Sequence, residues 1–171
     1  MQKQTDYLEA IKTKYPEQVI IAIAKDPTGR PNPITLGWAM TVSFEPPMWA
    51  IAVSEIHYTP SCIRHSKCFT IALPSADQKD AAMFFGSRSG RDIDKFAACP
   101  RHCATEPAKK IDSVLLCEAV ANFECTLEKE YPAGDHIIFI GKVVSSTINT
   151  DPNRRLYTLG PGHKLGAVSA R

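Results

Sequence analysis

The chain lacks any apolar run near the roughly 18 residues that a membrane helix requires. Its apolar stretches, such as Trp49 to Val53, are the length of a strand. The first residues, Met1 to Lys14, are polar and carry no secretory signal pattern, so the sequence reads as a cytoplasmic protein with no membrane partner. Net charge is also scarce. Twenty Lys and Arg against 18 Asp and Glu leave +2, spread along the chain, and no basic tract carries interleaved aromatics, which argues against nucleic acid. The common catalytic signatures are missing too: no G-x-G-x-x-G turn, no Walker loop, no H-E-x-x-H, no C-x-x-C pair and no G-x-S-x-G elbow. Rossmann-type dinucleotide binding, metal-dependent hydrolysis, thioredoxin-like exchange and serine hydrolysis therefore have no local support.

What is present fits one globular domain over residues 1–171, with a core at about 19–146 and a tail over 147–171. An apolar share of 44% is ordinary for such a chain. A domain of this size buries roughly two thirds of the surface of its unfolded form. Six cysteines without an export signal read as reduced thiols. Cys117 and Cys125, eight apart within a strand pattern, are expected on one face as inert core residues.

Tyr7, Leu8 and Ile11 at helical spacing predict a short helix over Thr5 to Lys14, stopped by Pro16. Val19 to Ala24 is a β-branched strand, and the turn-rich Lys25 to Pro33 leads to a second strand from Ile34 to Ser43. Pro46-Pro47 ends it. Met48 to Ser54, apolar almost throughout, predicts a central strand covered on both faces. One or two helical turns follow at Thr59 to Ser66, then a strand at Phe69 to Leu73 and a helix at Ala76 to Phe85. Leu115 to Leu127 alternates with a period of two, and Asp135 to Ser145 is its hairpin partner through Tyr131 to Gly134. The tail carries at most one short strand. Several antiparallel strands with few helices predict a mainly β fold, a closed or nearly closed barrel that hides its edges.

Two polar segments stand where such a barrel would hold a ligand. Gly86 to Phe96 (GSRSGRDIDKF) combines glycines that admit close approach, hydroxyl donors, and the cations Arg88, Arg91 and Lys95. It reads as an anion-facing loop or as a solvated surface turn. Ser54 to Ser61 follows the buried strand directly, so its hydroxyls lie at a barrel rim, where Thr59 or Ser61 either meets an anion or only caps a helix. A third segment, Cys99-Pro-Arg-His-Cys103, holds two thiols and an imidazole. Three ligands are too few for a closed zinc site, which leaves a redox pair or two unrelated loop thiols.

In order along the chain, Asn32 to Ser54 (NPITLGWAMTVSFEPPMWAIAVS), Tyr58-Thr59, Phe69, Ser89 to Phe96 (SGRDIDKF) and Asp135 to Val143 (DHIIFIGKV) resemble the flavin reductase-like family of FMN-binding split barrels, and within it the flavoredoxin-type proteins. The resemblance implies a split β-barrel with a Greek-key core, non-covalent FMN and a homodimer. It implies a flavin-dependent oxidoreductase that passes electrons from NAD(P)H or a redox-protein donor to an acceptor; the alternative is a split-barrel protein that stores or senses flavin. Carried over by position, Asn32, Thr35 and Trp38 face the ring, Ser54 and Thr59 offer hydroxyls to the phosphate, Arg91 and Lys95 supply charge, and His136 reaches the flavin from the late hairpin. Tyr157 or His163 would cover the ring. Each has a plainer reading: Trp38 as core or dimer filler, His136 as a hairpin cap, Lys95 as a surface lysine.

Overall fold

The computed structural model describes residues 1–151 and 154–168. Twelve strands and three helices follow in the order α1 (Tyr7–Ile11), β1 (Glu17–Gln18), β2 (Ile20–Lys25), β3 (Pro31–Leu36), β4 (Ala39–Phe44), β5 (Pro47–Ser54), α2 (Thr59–Ser66), β6 (Cys68–Leu73), α3 (Lys79–Ser87), β7 (Thr105–Pro107), β8 (Val114–Leu116), β9 (Ala121–Ala133), β10 (His136–Ile148), β11 (Leu156–Thr158) and β12 (Leu165–Ala167). Seven of the strands form one antiparallel sheet in the order β3-β2-β6-β9-β10-β5-β4.

That order requires a barrel. β3 and β4 are the two outer strands of the sheet, yet only Gly37 and Trp38 lie between them in sequence. A link from Leu36 to Ala39 spans no more than about 11 Å, whereas the outer strands of a flat seven-stranded sheet stand about 29 Å apart. The sheet is therefore rolled until its edges come together at that corner without pairing, with α2 packed beside β2, β3, β5 and β6. This is the split barrel expected from the sequence.

Alternation fills the inside. Ile20 and Ala22 of β2, Trp49, Ile51 and Val53 of β5, Phe69 and Ile71 of β6, and Ile137 and Phe139 of β10 make one buried cluster with Cys62 and Ile63 of α2. On the opposite face of β2, Ile21 and Ile23 pack against Ala81, Ala82 and Phe85 of α3 together with Leu116, Leu156 and Leu165. β2 and β6 are thus the strands buried on both faces, which explains their nearly continuous apolar runs. β5 is more one-sided. Its inner residues are buried, but its outer Ala50 and Ala52 line a shallow cavity of about 320 Å³ with Met40 and Ile138.

Gly141 on β10 is fixed by this packing. A Cβ there would stand 2.5 Å from Phe69 Cζ and 2.8 Å from Cys125 Cβ. Both neighbours are fully buried and have nowhere to go. Gly141→Ala is expected to lower the unfolding free energy by about 2 kcal/mol, the usual scale of an overpacked core, which urea denaturation would measure.

Four expectations change. The single strand over Leu115 to Leu127 is broken into β8 and β9, because the Asn122 amide accepts from Leu116 N at 3.0 Å and donates to Leu116 O at 3.2 Å, closing a tight turn. Cys117 lies in that turn and is exposed, while Cys125 is buried, so the two share no face. The tail contributes two strands, β11 and β12, which join β1 in a separate three-stranded sheet. Finally, the long strand over Ile34 to Ser43 turns its corner at Gly37-Trp38, dividing into β3 and β4.

Candidate functional site

α3 packs across β3, and the chain leaving it at Ser87 runs past the start of α2. Between them lies a cavity of about 220 Å³. Asn32 of β3 forms its floor and is almost fully buried. Its Nδ2 donates to Thr59 Oγ1 at 3.1 Å, but its Oδ1 has no partner among the described residues. A buried polar atom left unpaired carries a substantial desolvation penalty, and this one is packed against Gly90 and closed off from the cavity. Thr59 Oγ1 accepts from Asn32 and keeps its own proton to donate.

The loop over this floor is held from several directions. Arg30 donates to Gly90 O at 2.6 Å while its guanidinium pairs with Asp26 at 3.1 Å. Burial works to raise the Asp26 carboxyl, but hydrogen bonds from Thr28 and Arg30 outweigh it and hold the group below the ordinary carboxylate range. Gly90 is required by the fit: a Cβ would fall 1.9 Å from Asn32 Oδ1. Arg91 donates to Ile56 O at 3.0 Å and His57 O at 3.2 Å, and stands 5.4 Å over the Tyr58 ring. It therefore shapes the turn before α2 and supplies charge, its fork being occupied. Lys95 is no surface lysine. It is buried, with Nζ donating at 2.8 Å to both Pro33 O and Phe85 O, and burial pushes its pKa down to about 8. His57 is held below its usual range by burial and then by the charges of Lys95, His136 and Arg91. The concentration of positive potential at this end is plain.

A second cavity, of about 520 Å³, shares Gly86 and Ser87 with the first as lining, so the two lie side by side along β3 and together form the groove. Its walls are Thr35, Gly37 and Trp38 on one side, Ala82 and Met83 of α3 on another, and Tyr15, His136 and His163 at the mouth. Trp38 stacks on His136 with centroids 4.7 Å apart, and Lys14 Nζ stands 5.6 Å over the indole. His136 Nδ1 donates to Asp135 at 2.7 Å, and this bond, followed by the imidazole charge, holds the exposed Asp135 carboxyl below its ordinary range. Thr35 spends its hydroxyl proton on Ala82 O at 2.7 Å, so toward the groove it is an acceptor.

Seven of the nine residues singled out in the sequence thus line the groove: Asn32, Thr59, Arg91 and Lys95 at the basic end, Thr35, Trp38 and His136 at the wide end. Ser54 is not among them; its hydroxyl turns to Asp135 O at 3.3 Å, across the β5–β10 register that pairs Ser54 with His136. Tyr157 is also outside. On β11 it alternates with Leu156 and Thr158, and Thr158 is the residue that faces the groove, while Tyr157 lies under the Arg155 guanidinium at 5.3 Å. Of the two tail residues, His163 is the one that lines the groove. The sequence reading missed His57 and Tyr58 as walls and Tyr15 at the mouth. His57 and Tyr58 sit in the polar rim segment already noted, whereas nothing local marks Tyr15, which arrives by the turn between α1 and β1.

Residues 12–163 match the flavin reductase like domain family. A flavin reductase of Pseudomonas putida is 26% identical over 154 residues, covering 90% of this chain and 86% of its own. The flavoredoxin of Methanosarcina acetivorans superposes with a TM-score of 0.86 at 20% identity, covering 100% of this chain and 93% of its own. The NADH:FAD oxidoreductase SgcE6 of Streptomyces globisporus does so at 0.82 and 20%, covering 99% of each. These two likenesses show the fold. Against three further curated relatives the match spans 66%, 70% and 54% of their lengths. Among the described residues no helix is long and apolar enough to cross a membrane.

Proposed function

The chain belongs to the flavin reductase like family of oxidoreductases, and on that premise we propose that its groove holds FMN non-covalently for electron transfer from NAD(P)H or a redox protein. The observation that carries this reading is the polarity of the groove: a small cationic cavity beside a larger one walled by aromatic and apolar groups. Its chemistry matches a phosphate at one end and a flat heteroaromatic ring at the other. FMN, with a single phosphate, is the simplest flavin whose chemistry matches both ends.

Bound flavin supplies the redox chemistry, taking two electrons as hydride and returning them together or singly. The protein's part is binding and orientation. Thr59 would donate its free hydroxyl proton toward the anion, Lys95 and Arg91 would add charge, and Asn32 would orient the Thr59 hydroxyl through its Nδ2. Thr35 accepts from an N–H at the wide end. Trp38 and His136 form one wall whose tilt is fixed by the His136–Asp135 bond, and Met83 and Ala82 keep water from the opposite side.

We further propose that the functional unit is a homodimer. β4 is a sheet edge whose Met40 and Phe44 are 61% and 93% exposed, beside the half-exposed Trp38. With the apolar cavity over Ala50, Ala52 and Ile138, this makes a continuous face of a kind that soluble proteins cover. Placed at the groove's mouth, a second copy would complete the wall beyond Trp38.

An anaerobic titration of purified protein with FMN and FAD, and then with NADH and NADPH, tests the reading through the visible spectrum. Saturable FMN binding, tighter than FAD, with bleaching by one or both dinucleotides is expected. Binding without reduction by dinucleotides or protein donors would favour flavin storage, and no flavin binding by folded protein would overturn the reading.

A further inference from the structure

Cys99 and Cys103, which the sequence left open between a redox pair and unrelated thiols, are joined as a disulfide with Cα atoms 6.3 Å apart, within the range that bridging allows. Both are half-buried at the rim of the α3 core, packed against it with Phe84 and Phe96. Neither lines the groove.

The loop they close is clamped to the start of α3. Gln78, fully buried and part of a capping box with Ser75, donates to His102 O at 3.1 Å. Arg101 pairs with Asp80 at 2.5 Å, and His102 Nδ1 meets Glu118 at 2.6 Å. His102 itself has φ 57, a left-handed conformation that disfavours any residue with a side chain. The chain from Ser87 thus leaves the C-terminal end of α3, lays Gly90 and Lys95 against β3, and returns to the helix start, where Gln78 and Asp80 fasten it and the disulfide closes the ring that presents Arg101 and His102 to them.

We propose that Cys99 and Cys103 form a reversible thiol–disulfide site, opened by a dithiol reductant, that sets how firmly residues 88–98 are held over the groove. A thiolate of the reductant attacks one cysteine sulfur and breaks the S–S bond. Its second thiol then displaces the mixed disulfide, so two electrons and two protons pass to Cys99 and Cys103 and the reductant leaves as its own disulfide. The partial exposure of both residues admits this attack. Opening removes the restraint on a five-residue loop, worth up to about 30-fold in a local opening constant. The Arg101–Asp80 and His102–Glu118 pairs are half-exposed or more and hold the open loop weakly.

The link to the groove rests on the flavin reading above; the switch itself does not. Trypsin cuts after Lys95 and Arg101, so the disulfide joins two separate peptides, Phe96–Arg101 and His102–Lys109. Mass spectrometry of alkylated digests should find them linked in oxidised protein and separate after dithiothreitol, returning to linked form with oxidised dithiothreitol. Amide exchange over 88–98 should be about tenfold faster in the reduced protein, and C99S/C103S should exchange at the reduced rate whatever the redox buffer. Flavin affinity should fall with reduction in the wild type and stay constant in the variant. Absence of the linked peptide, or exchange over 88–98 that is indifferent to redox state, would overturn the proposal. Failure to bind FMN in either state, with the exchange difference intact, would overturn the flavin reading alone.

Discussion

Gly90→Ala is expected to weaken FMN binding about 100-fold with little loss of thermal stability. The reason is geometric. The new Cβ would lie 1.9 Å from Asn32 Oδ1 and 3.3 Å from Tyr58 Cδ1, so one of three groups has to move by more than an ångström. Asn32 is almost fully buried and tied to Thr59, and the loop backbone is held by Arg30 on Gly90 O. Whichever yields, the alignment of Asn32, Thr59 and the loop is lost. Misplacing a set of charge-assisted hydrogen-bond partners by that distance costs about 2–3 kcal/mol. Fold stability changes little, because Gly90 lies in a loop outside both buried clusters. Fluorescence titration of FMN beside thermal unfolding separates the two effects. A loss of binding matched by a large drop in the melting temperature would instead mark Gly90 as a fold residue.

Asn32 and Gly90 also show what a sequence carries and what it does not. Alternation and turn residues were enough to place most strands and to argue for closure, because a strand buried on one face leaves its period in the chain. They failed at Leu115 to Leu127, where the pattern runs on but the Asn122 side chain pins Leu116 and interrupts the ladder. The basic loop was legible as composition, yet the roles within it were not. Lys95 reads like any lysine beside Arg91, and only the packing of α3 on β3 brings the Pro33 and Phe85 carbonyls to its ammonium. Ser54 and Tyr157 are implied only by the family resemblance, and in each case the register directs the side chain elsewhere: toward Asp135 for Ser54, away from the groove for Tyr157. Tyr15, distant in sequence from every other groove residue, has no local signal because its place depends on how β1 joins the tail sheet. The wide end of the groove is a product of tertiary assembly, whereas the basic end is largely one loop and one strand.

The placement of Lys95 gives the second large effect, in pH. Burial lowers its pKa to about 8, against an ordinary lysine value of 10.5 that the unfolded chain keeps. Between those values the unfolded state binds more protons, so fold stability rises with pH from about 8 to 10.5 as the native form sheds the buried charge. Anion binding runs the other way. Two Nζ donors are taken by carbonyls and the third is left for the cavity, so a bound phosphate is stabilised by the charged ammonium and loses that attraction above about pH 8. The phosphate of FMN is already close to doubly ionised at pH 7, which leaves Lys95 as the group that titrates. FMN affinity is expected to fall about tenfold between pH 7 and 9 in the wild type. Lys95→Met should bind about 100-fold more weakly at pH 7 and show a flat profile. Its stability should stay within about 2 kcal/mol of the wild type, because losing two hydrogen bonds is offset by no longer burying a charge. A wild-type affinity that is constant across this range would remove Lys95 from the anion site and leave it as a strut between β3 and α3.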